Sequence, residues 1–303
     1  MRPTLFIINP KSGNASRGIT RLLQSFAQSH PVSMEFVETR HSGHATEIAR
    51  HSKKECIVAV GGDGTVNEVI NGLIGSKKTL GVVPTGSGND FIKAIGMENS
   101  VEAALKSLTS GATLSIDIGS VEVTLPNSSS KNIYFGNGIG AGFDASVAVK
   151  ASKIKYITGT LRYALAVMNT LGTYSAPEFT VRVDSRVFQG KYLLIAVGNG
   201  PCAGGGFYLT PDAKPNDGLL DVCTIKDLSV PGILHVMPKV MMGKHGSHSA
   251  VHFDLGAELS ISADEPFAVH ADGEILGQDV LAVKVGIVRN GINVAVPAAS
   301  TGI

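Results

Sequence analysis

The chain has 303 residues, of which 43% are hydrophobic, and its 26 Lys and Arg residues nearly balance 25 Asp and Glu residues. This balance excludes the strongly basic surface that is typical of nucleic-acid-binding proteins, so no nucleic acid partner is expected. No apolar run approaches the roughly 20 residues that a transmembrane helix needs, and three scattered cysteines indicate neither a disulfide framework nor a zinc site. The sequence therefore predicts a two-domain protein of a reducing compartment that is soluble or attached to a membrane surface.

The first part of the chain alternates predicted strands with predicted helices. Strands are expected over residues 5–8, 32–37, 56–60, 79–83 and 114–123, and helices over 19–26, 45–50, 65–74 and 101–108, with another after Phe91. Short β-branched strands that alternate with amphipathic helices are typical of a doubly wound parallel sheet. We therefore predict an N-terminal α/β nucleotide-binding domain over residues 1–125.

The loop Gly61-Gly62-Asp63-Gly64-Thr65 follows a buried strand and opens a helix, for which Thr65 is the expected cap. Glycines let a backbone approach a ligand closely, and a helix N-terminus favours an anion, so this loop is predicted to bind phosphate. Asp63 would repel phosphate unless it held a magnesium ion or a ligand hydroxyl. A structural strand-to-helix turn with a capping aspartate is the alternative.

Two further glycine-containing loops follow predicted strands, at residues 9–14 and 84–90. The ends of parallel strands meet at one edge of a sheet, so all three loops are expected to lie together there. Lys11, Ser12 and Gly13 are candidates for a second phosphate contact, although ordinary turn chemistry also explains them. The pattern G-x-x-x-x-G-K-[ST] is absent, so the chain has no P-loop.

Beyond a polar stretch at residues 126–132, strands predominate. They are expected over residues 133–135, 179–183, 192–197, 219–225, 258–262, 267–271 and 280–288, with helices at about 160–171 and 230–241. Many strands with hairpin turns predict a β-sandwich-like domain over residues 126–289. Asn290-Gly291 is expected to form a further hairpin turn.

Two acidic clusters of this second half are candidate site residues. The stretch Pro211–Asp221 either binds a hard divalent ion through a carboxylate and backbone carbonyls or is a surface turn. In Asp272-Gly273-Glu274, a hairpin turn explains the first two residues but not Glu274. Two carboxylates so close together would pair a proton acceptor with a residue that positions it, as the activation of a substrate hydroxyl requires.

Two weaker patterns occur in the second half of the chain. A metal site at His245, His248 and His252 is disfavoured, because the surrounding residues have loop composition. The basic, apolar segment Lys150–Leu171 either lies on an anionic membrane surface or is an ordinary amphipathic helix.

Six motifs in this order resemble the diacylglycerol kinase catalytic domain family, and in particular its soluble bacterial lipid kinases. They are residues 9–13, 61–69, 84–91, 138–145, 211–220 and 272–274. The resemblance implies ATP binding by the first domain, a C-terminal β-sandwich, and a return of residues 290–303 to the first domain.

The resemblance also implies roles for individual residues. Glu274 would be the proton acceptor, supported by Asp272, and Asp63 would also be catalytic. Magnesium would be bound by Asp217 with the carbonyl groups of Lys214 and Leu219. The implied ATP contacts are Asn9, Pro10, Lys11, Ser12, Gly13, Thr39, Gly61, Gly62, Asp63, Gly64, Thr65, Val66, Asn67 and Ser87.

The expected function is an ATP-dependent lipid kinase with diacylglycerol as acceptor, working in the cytoplasm at an anionic membrane surface. Phosphatidylglycerol or a sphingoid base as acceptor, an NAD kinase-like small-molecule kinase, and a catalytically silent nucleotide-binding regulator are the alternatives. A homodimer is compatible with the sequence.

Overall fold

The computed structural model describes residues 2–13, 17–127, 129–154 and 159–298. The chain forms two compact units, Met1–Ile118 with Arg289–Ile303, and Gly119–Val288. None of the described helices has the length and hydropathy that a membrane span requires.

The first unit contains a parallel sheet with the strand order β2–β1–β3–β4–β13. The sheet alternates with helices, which confirms the predicted α/β architecture. Its elements are β1 (Thr4–Ile8), α1 (Arg17–Gln28), β2 (Met34–Glu38), α2 (His44–His51), β3 (Cys56–Gly61), α3 (Asp63–Leu73), β4 (Thr79–Pro84), α4 (Asp90–Ala94), α5 (Val101–Ser110), the start of β5 (Thr113–Thr124) and the end of β13 (Glu274–Ala295).

Helix α3 begins two residues before its predicted start. Gly62 caps it in an extended conformation with φ −94°, so Asp63 belongs to the first helical turn. The prediction that Thr65 caps this helix is therefore wrong; its hydroxyl instead accepts a hydrogen bond from Asn9 Nδ2 at 3.0 Å. Glu68 fixes the neighbouring helix α2, because its Oε2 accepts the N–H of Ala45 at 3.0 Å.

The second unit is built mainly from antiparallel strands. These run in the order β11–β10–β9–β7–β12–β13, and β8 pairs with both β9 and β12. Its elements are the end of β5, β6 (Ser130–Phe135), β7 (Gly138–Gly142), α6 (Phe143–Lys153), α7 (Gly159–Leu171), β8 (Glu178–Val183), β9 (Arg186–Gly198), β10 (Leu220–Lys226), α8 (Val230–Met241), a 3-10 turn (His245–Ser247), β11 (Val251–Gly256), β12 (Glu258–Ala271) and most of β13.

Helix α6 was not predicted. Its buried residues occupy every second position, namely Phe143, Ala145, Val147, Val149 and Ala151. That spacing is typical of a strand, but the helix packs against both α7 and β12 and so buries more than one face. The two strands predicted over 258–262 and 267–271 also form the single strand β12, with shifts of register between Ser262 and Phe267.

The predicted hairpin at Asn290-Gly291 is wrong. Asn290 has φ 50° and its N–H donates to Asp117 Oδ1 at 2.7 Å. The chain continues in the same strand, and Asn293 and Val294 pair in parallel with Thr79 and Leu80 of β4. The positive φ of an asparagine therefore marks a bend within a strand, not a reversal of the chain.

Candidate active site

The first group of candidate residues lies where four parallel strands end. The N–H of Asn9 donates to Val60 O at 3.0 Å, and that of Thr39 donates to Ile8 O at 2.8 Å. The N–H of Thr85 likewise donates to Gly61 O at 3.0 Å. These bonds bring the loops after β1, β2, β3 and β4 to one edge of the sheet, as the sequence predicts.

Glycines allow these loops to pack backbone against backbone. A Cβ atom on Gly13, which has φ +49°, would lie 2.1 Å from Thr85 O. A Cβ atom on Gly86 would lie 2.5 Å from Gly62 Cα. No side chain fits at such distances, so the loops present a surface made largely of backbone groups, which suits phosphate oxygens.

Side chains hold the loops in register. Asn9 Oδ1 accepts the N–H of Lys11 at 3.0 Å, while Asn9 Nδ2 donates to Thr65 Oγ1. The hydroxyl of Thr85 donates to Ser12 Oγ at 3.2 Å. Asn9 and Ser12, predicted as ligand contacts, thus also connect the three loops to one another.

Asp63 has a structural contact that the sequence analysis missed. Its Oδ1 accepts the N–H of Phe91 at 3.1 Å, in the first turn of α4. The loop before α4 is held by Asn89, whose Oδ1 accepts the N–H of Gly86 at 3.1 Å and whose Nδ2 donates to Gly86 O at 2.9 Å. Asn89 is buried and has φ 50°. An Asn that follows a glycine-rich turn is a weak signal for such a clamp.

The other predicted nucleotide contacts differ in their exposure. Pro10 and Ser87 are exposed, and Thr39 and Gly64 are partly so. Val66 and Asn67 are buried, and Asn67 Oδ1 accepts a hydrogen bond from Asn71 Nδ2 at 3.2 Å. A ligand contact at Val66 could therefore involve only its backbone.

The second group lies in the second unit, on the hairpin between β12 and β13. Asp272 and Gly273 form its turn with φ 47° and 84°, which confirms the Asp-Gly turn. The Asp272 carboxylate accepts three backbone N–H groups, from Gly136 at 2.7 Å, Asn137 at 2.9 Å and Gly138 at 3.0 Å. Asp272 therefore anchors the hairpin tip to the loop between β6 and β7.

Glu274 follows this turn and is exposed. The strand pairing sets Glu274 opposite Ala271, and His270 opposite Ile275. Because side chains alternate along a strand, Glu274 and His270 project from opposite faces of the hairpin.

The predicted metal ligands lie in the loop before β10. Asp217 is exposed, and its Oδ1 accepts the N–H of Leu219 at 2.9 Å. The nearby Asp221 is buried, and burial, together with the charges of Asp217 and Asp212, raises its pKa to about 7. A loop rich in carboxylate and carbonyl oxygens, whose like charges raise a pKa, has the donor set of a hard divalent cation.

A cavity of about 320 Å³ lies within the second unit. Helices α6, α7 and α8 and strands β9 and β10 supply walls that are mainly apolar, including Phe143, Leu194 and Val240. The acidic hairpin also lines the cavity, through His270, Gly273 and Ile275. This cavity was not predicted from the sequence, because its lining residues come from distant parts of the chain.

The histidines of residues 245–252 do not form a metal-binding group among the described residues. His245 is fully buried, with Nε2 3.3 Å from Leu209 O and 3.6 Å from Cys223 Sγ. Burial lowers the pKa of His245. This histidine packs in the interior of the second unit.

Another group, His41, His44 and Glu47, has ligand atoms within 4.8 Å of one another. However, His44 Nδ1 accepts the N–H of Arg40 at 3.1 Å. The neutral ring therefore carries its hydrogen on Nε2, which disfavours metal binding by this histidine.

The first unit thus presents a glycine-lined edge of a parallel sheet, and the second an acidic hairpin beside an apolar cavity, which are features that a nucleotide-dependent phosphotransferase requires. Comparisons with known proteins agree. A sequence profile of the diacylglycerol kinase catalytic domain matches residues 3–121. A profile of the YegS C-terminal NAD kinase beta sandwich-like domain matches residues 137–296.

A diacylglycerol kinase of Bacillus subtilis (strain 168) is 30% identical over 286 residues, which are 91% of this chain and 91% of that protein. A crystal structure of a candidate diacylglycerol kinase from Bacillus anthracis str. Sterne gives a TM-score of 0.76 at 24% identity and covers 98% of both chains. An NAD kinase from Archaeoglobus fulgidus, solved with ATP, gives 0.57 at 12% identity over 98% of this chain and 95% of that chain. The matches to these two solved structures show similarity of fold only.

The chain belongs to the diacylglycerol kinase family. It is a kinase that uses ATP to phosphorylate an alcohol, and it shares its fold with an NAD kinase at only 12% identity.

Proposed function

We propose that this kinase phosphorylates diacylglycerol. The observation that carries the proposal is the cavity beside the acidic hairpin, because its walls are mainly apolar and its volume of about 320 Å³ falls among those of ligand pockets, roughly 300–1,000 Å³. Such walls suit an acyl chain and would leave the many polar groups of NAD without partners.

In the proposed reaction, the lipid hydroxyl oxygen forms a bond to the γ-phosphorus of ATP. The bond between that phosphorus and the bridging oxygen breaks, and ADP leaves. Glu274 takes the hydroxyl proton. Asp272 supports it by fixing the hairpin tip through three backbone N–H groups.

The first unit is proposed to bind the triphosphate. Its glycine loops offer backbone N–H groups to the phosphate oxygens, and the exposed Lys11 and Ser87 are available to add a positive charge and a hydroxyl. The Asp63 carboxylate, anchored by Phe91, is proposed to bind magnesium or a ligand hydroxyl.

Magnesium is proposed to bind at Asp217 with the carbonyl groups of Lys214 and Leu219. Asp217 and Lys214 are exposed. Burial raises the pKa of Asp221, and the negative charges of Asp217 and Asp212 add to this by repulsion. A bound divalent ion would offset that repulsion and stabilise the loop.

We also propose that the enzyme works at an anionic membrane surface. Helices α7 and α8, which contribute Val167 and Val240 to the cavity wall, expose large apolar side chains on their outer sides: Met168 at 62%, Leu234 at 49% and Met241 at 53%. The sequence contains no Asp or Glu from residue 228 to 253. An apolar surface without negative charge suits an anionic bilayer.

Part of the membrane segment predicted from sequence lies outside the described residues, namely Lys155, Tyr156 and Ile157, and so do the side chains of Leu161, Arg162 and Tyr163. Lys150 has a different contact from the one expected, since its Nζ donates to Asn169 O at 2.9 Å. Because this bond joins α6 to α7, Lys150 is a poor probe of membrane binding.

The test is transfer of labelled phosphate from ATP, with magnesium, to a panel of dioctanoylglycerol, phosphatidylglycerol, sphingosine and NAD. Preferred transfer to dioctanoylglycerol is expected, and Glu274→Gln should lower its rate by about 100-fold or more. Transfer to NAD alone, or to no lipid, would contradict the proposal.

A further inference from the structure

Glu274, the proposed proton acceptor, is held in place by its backbone. Its side chain is exposed, and its carboxylate makes no hydrogen bond or ion pair with another of the residues that the structure describes. The place of this carboxylate therefore depends on the hairpin tip at residues 271–274. What fixes that tip also fixes the proton acceptor.

The hairpin tip is bonded to the loop between β6 and β7 through both a side chain and the backbone. The Asp272 carboxylate accepts three backbone N–H groups of this loop, and the N–H of Asp272 donates to Gly138 O at 2.9 Å. Next to the tip, Ala271 pairs with Ile139 of β7. The tip is therefore only as well placed as the loop that it contacts.

Asn199 binds the other side of the same loop. Its Nδ2 donates to Gly136 O at 2.9 Å, and its N–H donates to Asn137 O at 2.7 Å. Two consecutive peptide groups thus have their C=O bonded to Asn199 and their N–H bonded to Asp272. Because the C=O and N–H of a trans peptide point in opposite directions, Asn199 and Asp272 hold the loop backbone between them.

The position of Asn199 is itself well determined. The residue has no exposed surface, and it directly follows β9, whose last residue Gly198 pairs with Gly138 of β7. The hydroxyl of Thr210 donates to Gly200 O at 2.8 Å and so fixes the segment just after Asn199. A buried amide at the end of a central strand is a rigid support for the loop.

We propose that Asn199 is a positioning residue of this kinase, which places the hairpin tip and thereby sets Glu274 against the lipid hydroxyl. The link consists of the Asn199 amide, two peptide groups of the loop, the Asp272 carboxylate and the turn that leads to Glu274. Chains of hydrogen bonds of this kind polarise and strengthen one another. The proposal rests on the proposed function, in which Glu274 takes the hydroxyl proton.

Kinetics with dioctanoylglycerol as acceptor test whether Asn199 acts through Glu274. Asn199→Ala is made in the wild-type protein and in Glu274→Gln, and kcat is measured where all variants are folded. We expect kcat to fall about tenfold or more in the wild-type background, because a small displacement of a reacting group is costly. In the Glu274→Gln background it should fall less than about twofold, since the proton acceptor is already lost.

Amide hydrogen exchange tests the positioning without any substrate. Asn199→Ala should speed exchange of the Asn137, Gly138 and Asp272 amides by about three- to tenfold, as the loss of one buried hydrogen bond would give. Thr170→Ala is the matched control, because Thr170 is equally buried and its hydroxyl donates to Ala166 O at 2.7 Å within α7. It should lower the melting temperature and change neither kcat nor exchange at the hairpin tip.

A milder variant is available if Asn199→Ala does not fold. Thr210→Val removes only the hydroxyl bond to Gly200 O at nearly constant side-chain volume. It should change kcat and exchange in the same directions by smaller factors.

Unchanged exchange at the hairpin tip, or an equal fall of kcat in both backgrounds, would overturn the inference and leave the role of Glu274 intact. Wild-type kcat in Glu274→Gln, or transfer of phosphate to no lipid, would instead overturn the proposed function. The exchange measurement would then still decide whether Asn199 holds the hairpin tip.

Discussion

The Asp63 carboxylate and the backbone of Phe91 are joined by a hydrogen bond of 3.1 Å, so one side chain connects the first turn of α3 to the first turn of α4. An acidic residue that we propose for ligand binding is therefore also a structural residue. Substitutions of Asp63 can separate the effect of its charge from the effect of its hydrogen bond.

Asp63→Asn retains an oxygen acceptor for Phe91, whereas Asp63→Ala removes it. We expect Asp63→Ala to lose about 1 kcal/mol of stability, as for a lost helix cap, and Asp63→Asn to lose less. Both should lower kcat by about 100-fold, because both remove the charge. Thermal melts and steady-state kinetics check this. Wild-type activity in Asp63→Asn would show that the charge has no role.

Gly86→Ala should weaken ATP binding strongly. The added Cβ would meet Gly62 Cα at 2.5 Å, so the two loops would have to separate. Gly18→Ala in α1, where a Cβ meets nothing within 4 Å, is the matched control and should stabilise the protein by up to about 1 kcal/mol. Calorimetric titration with ATP measures the effect, and unchanged affinity in Gly86→Ala would argue against a nucleotide site at these loops.

Asp272→Asn should mainly reduce stability, whereas Glu274→Gln should mainly reduce catalytic activity. Asp272 accepts three backbone N–H groups, so its amide variant should lose about 2–3 kcal/mol of unfolding free energy. Glu274 is exposed, and its variant should melt at the wild-type temperature while kcat falls by about 100-fold or more. A loss of stability in Glu274→Gln would mean that it, too, has a structural role.

In the metal-free protein, the contribution of Asp221 to stability should fall as the pH rises from about 4 to about 7. Burial raises the folded-state pKa of Asp221 from 3.8 to about 7, so the folded state binds the proton more tightly than the unfolded state. The favourable contribution is complete below the unfolded-state pKa and is lost as pH rises through the folded-state value. Melts in a chelator at pH 5 and pH 8 measure this slope, which should be smaller in Asp221→Asn.

Magnesium should raise the melting temperature of the wild-type protein at pH 8 and have much less effect on Asp217→Ala. An equal rise in both proteins would place the bound ion elsewhere.

Replacing Met241 and Met242 with serine should reduce sedimentation with anionic vesicles while leaving activity on dispersed dioctanoylglycerol intact. These side chains are 53% and 62% exposed and would enter the bilayer boundary. Leu22→Ser, at a 45% exposed position of α1, is the control. Equal losses in both variants, or none, would indicate that membrane contact occurs at another surface.

The sequence predicted the parallel sheet and its loops because those signals are local. Local sequence specifies the backbone conformation of the buried strand that ends at Gly61. It also specifies the Asp-Gly turn at residues 272–273. The contacts of Asn89 depend on tertiary packing, and so does the contact of 3.2 Å between His270 Nε2 and Asp144 Oδ2. No local pattern encodes them. Helix α6 was missed for a related reason, since burial on several faces removed its helical periodicity.

Strand β13 runs for 22 residues from Glu274 to Ala295, and its last part pairs with β4, which was synthesised about two hundred residues earlier. During translation the ribosome therefore releases β4 long before its neighbour exists. The first unit cannot complete its sheet as a nascent chain, and such an open strand edge attracts wrong partners. Maturation of the N-terminal unit must wait for the C-terminal residues, so premature termination anywhere in the second unit would leave the first unfinished and prone to aggregation.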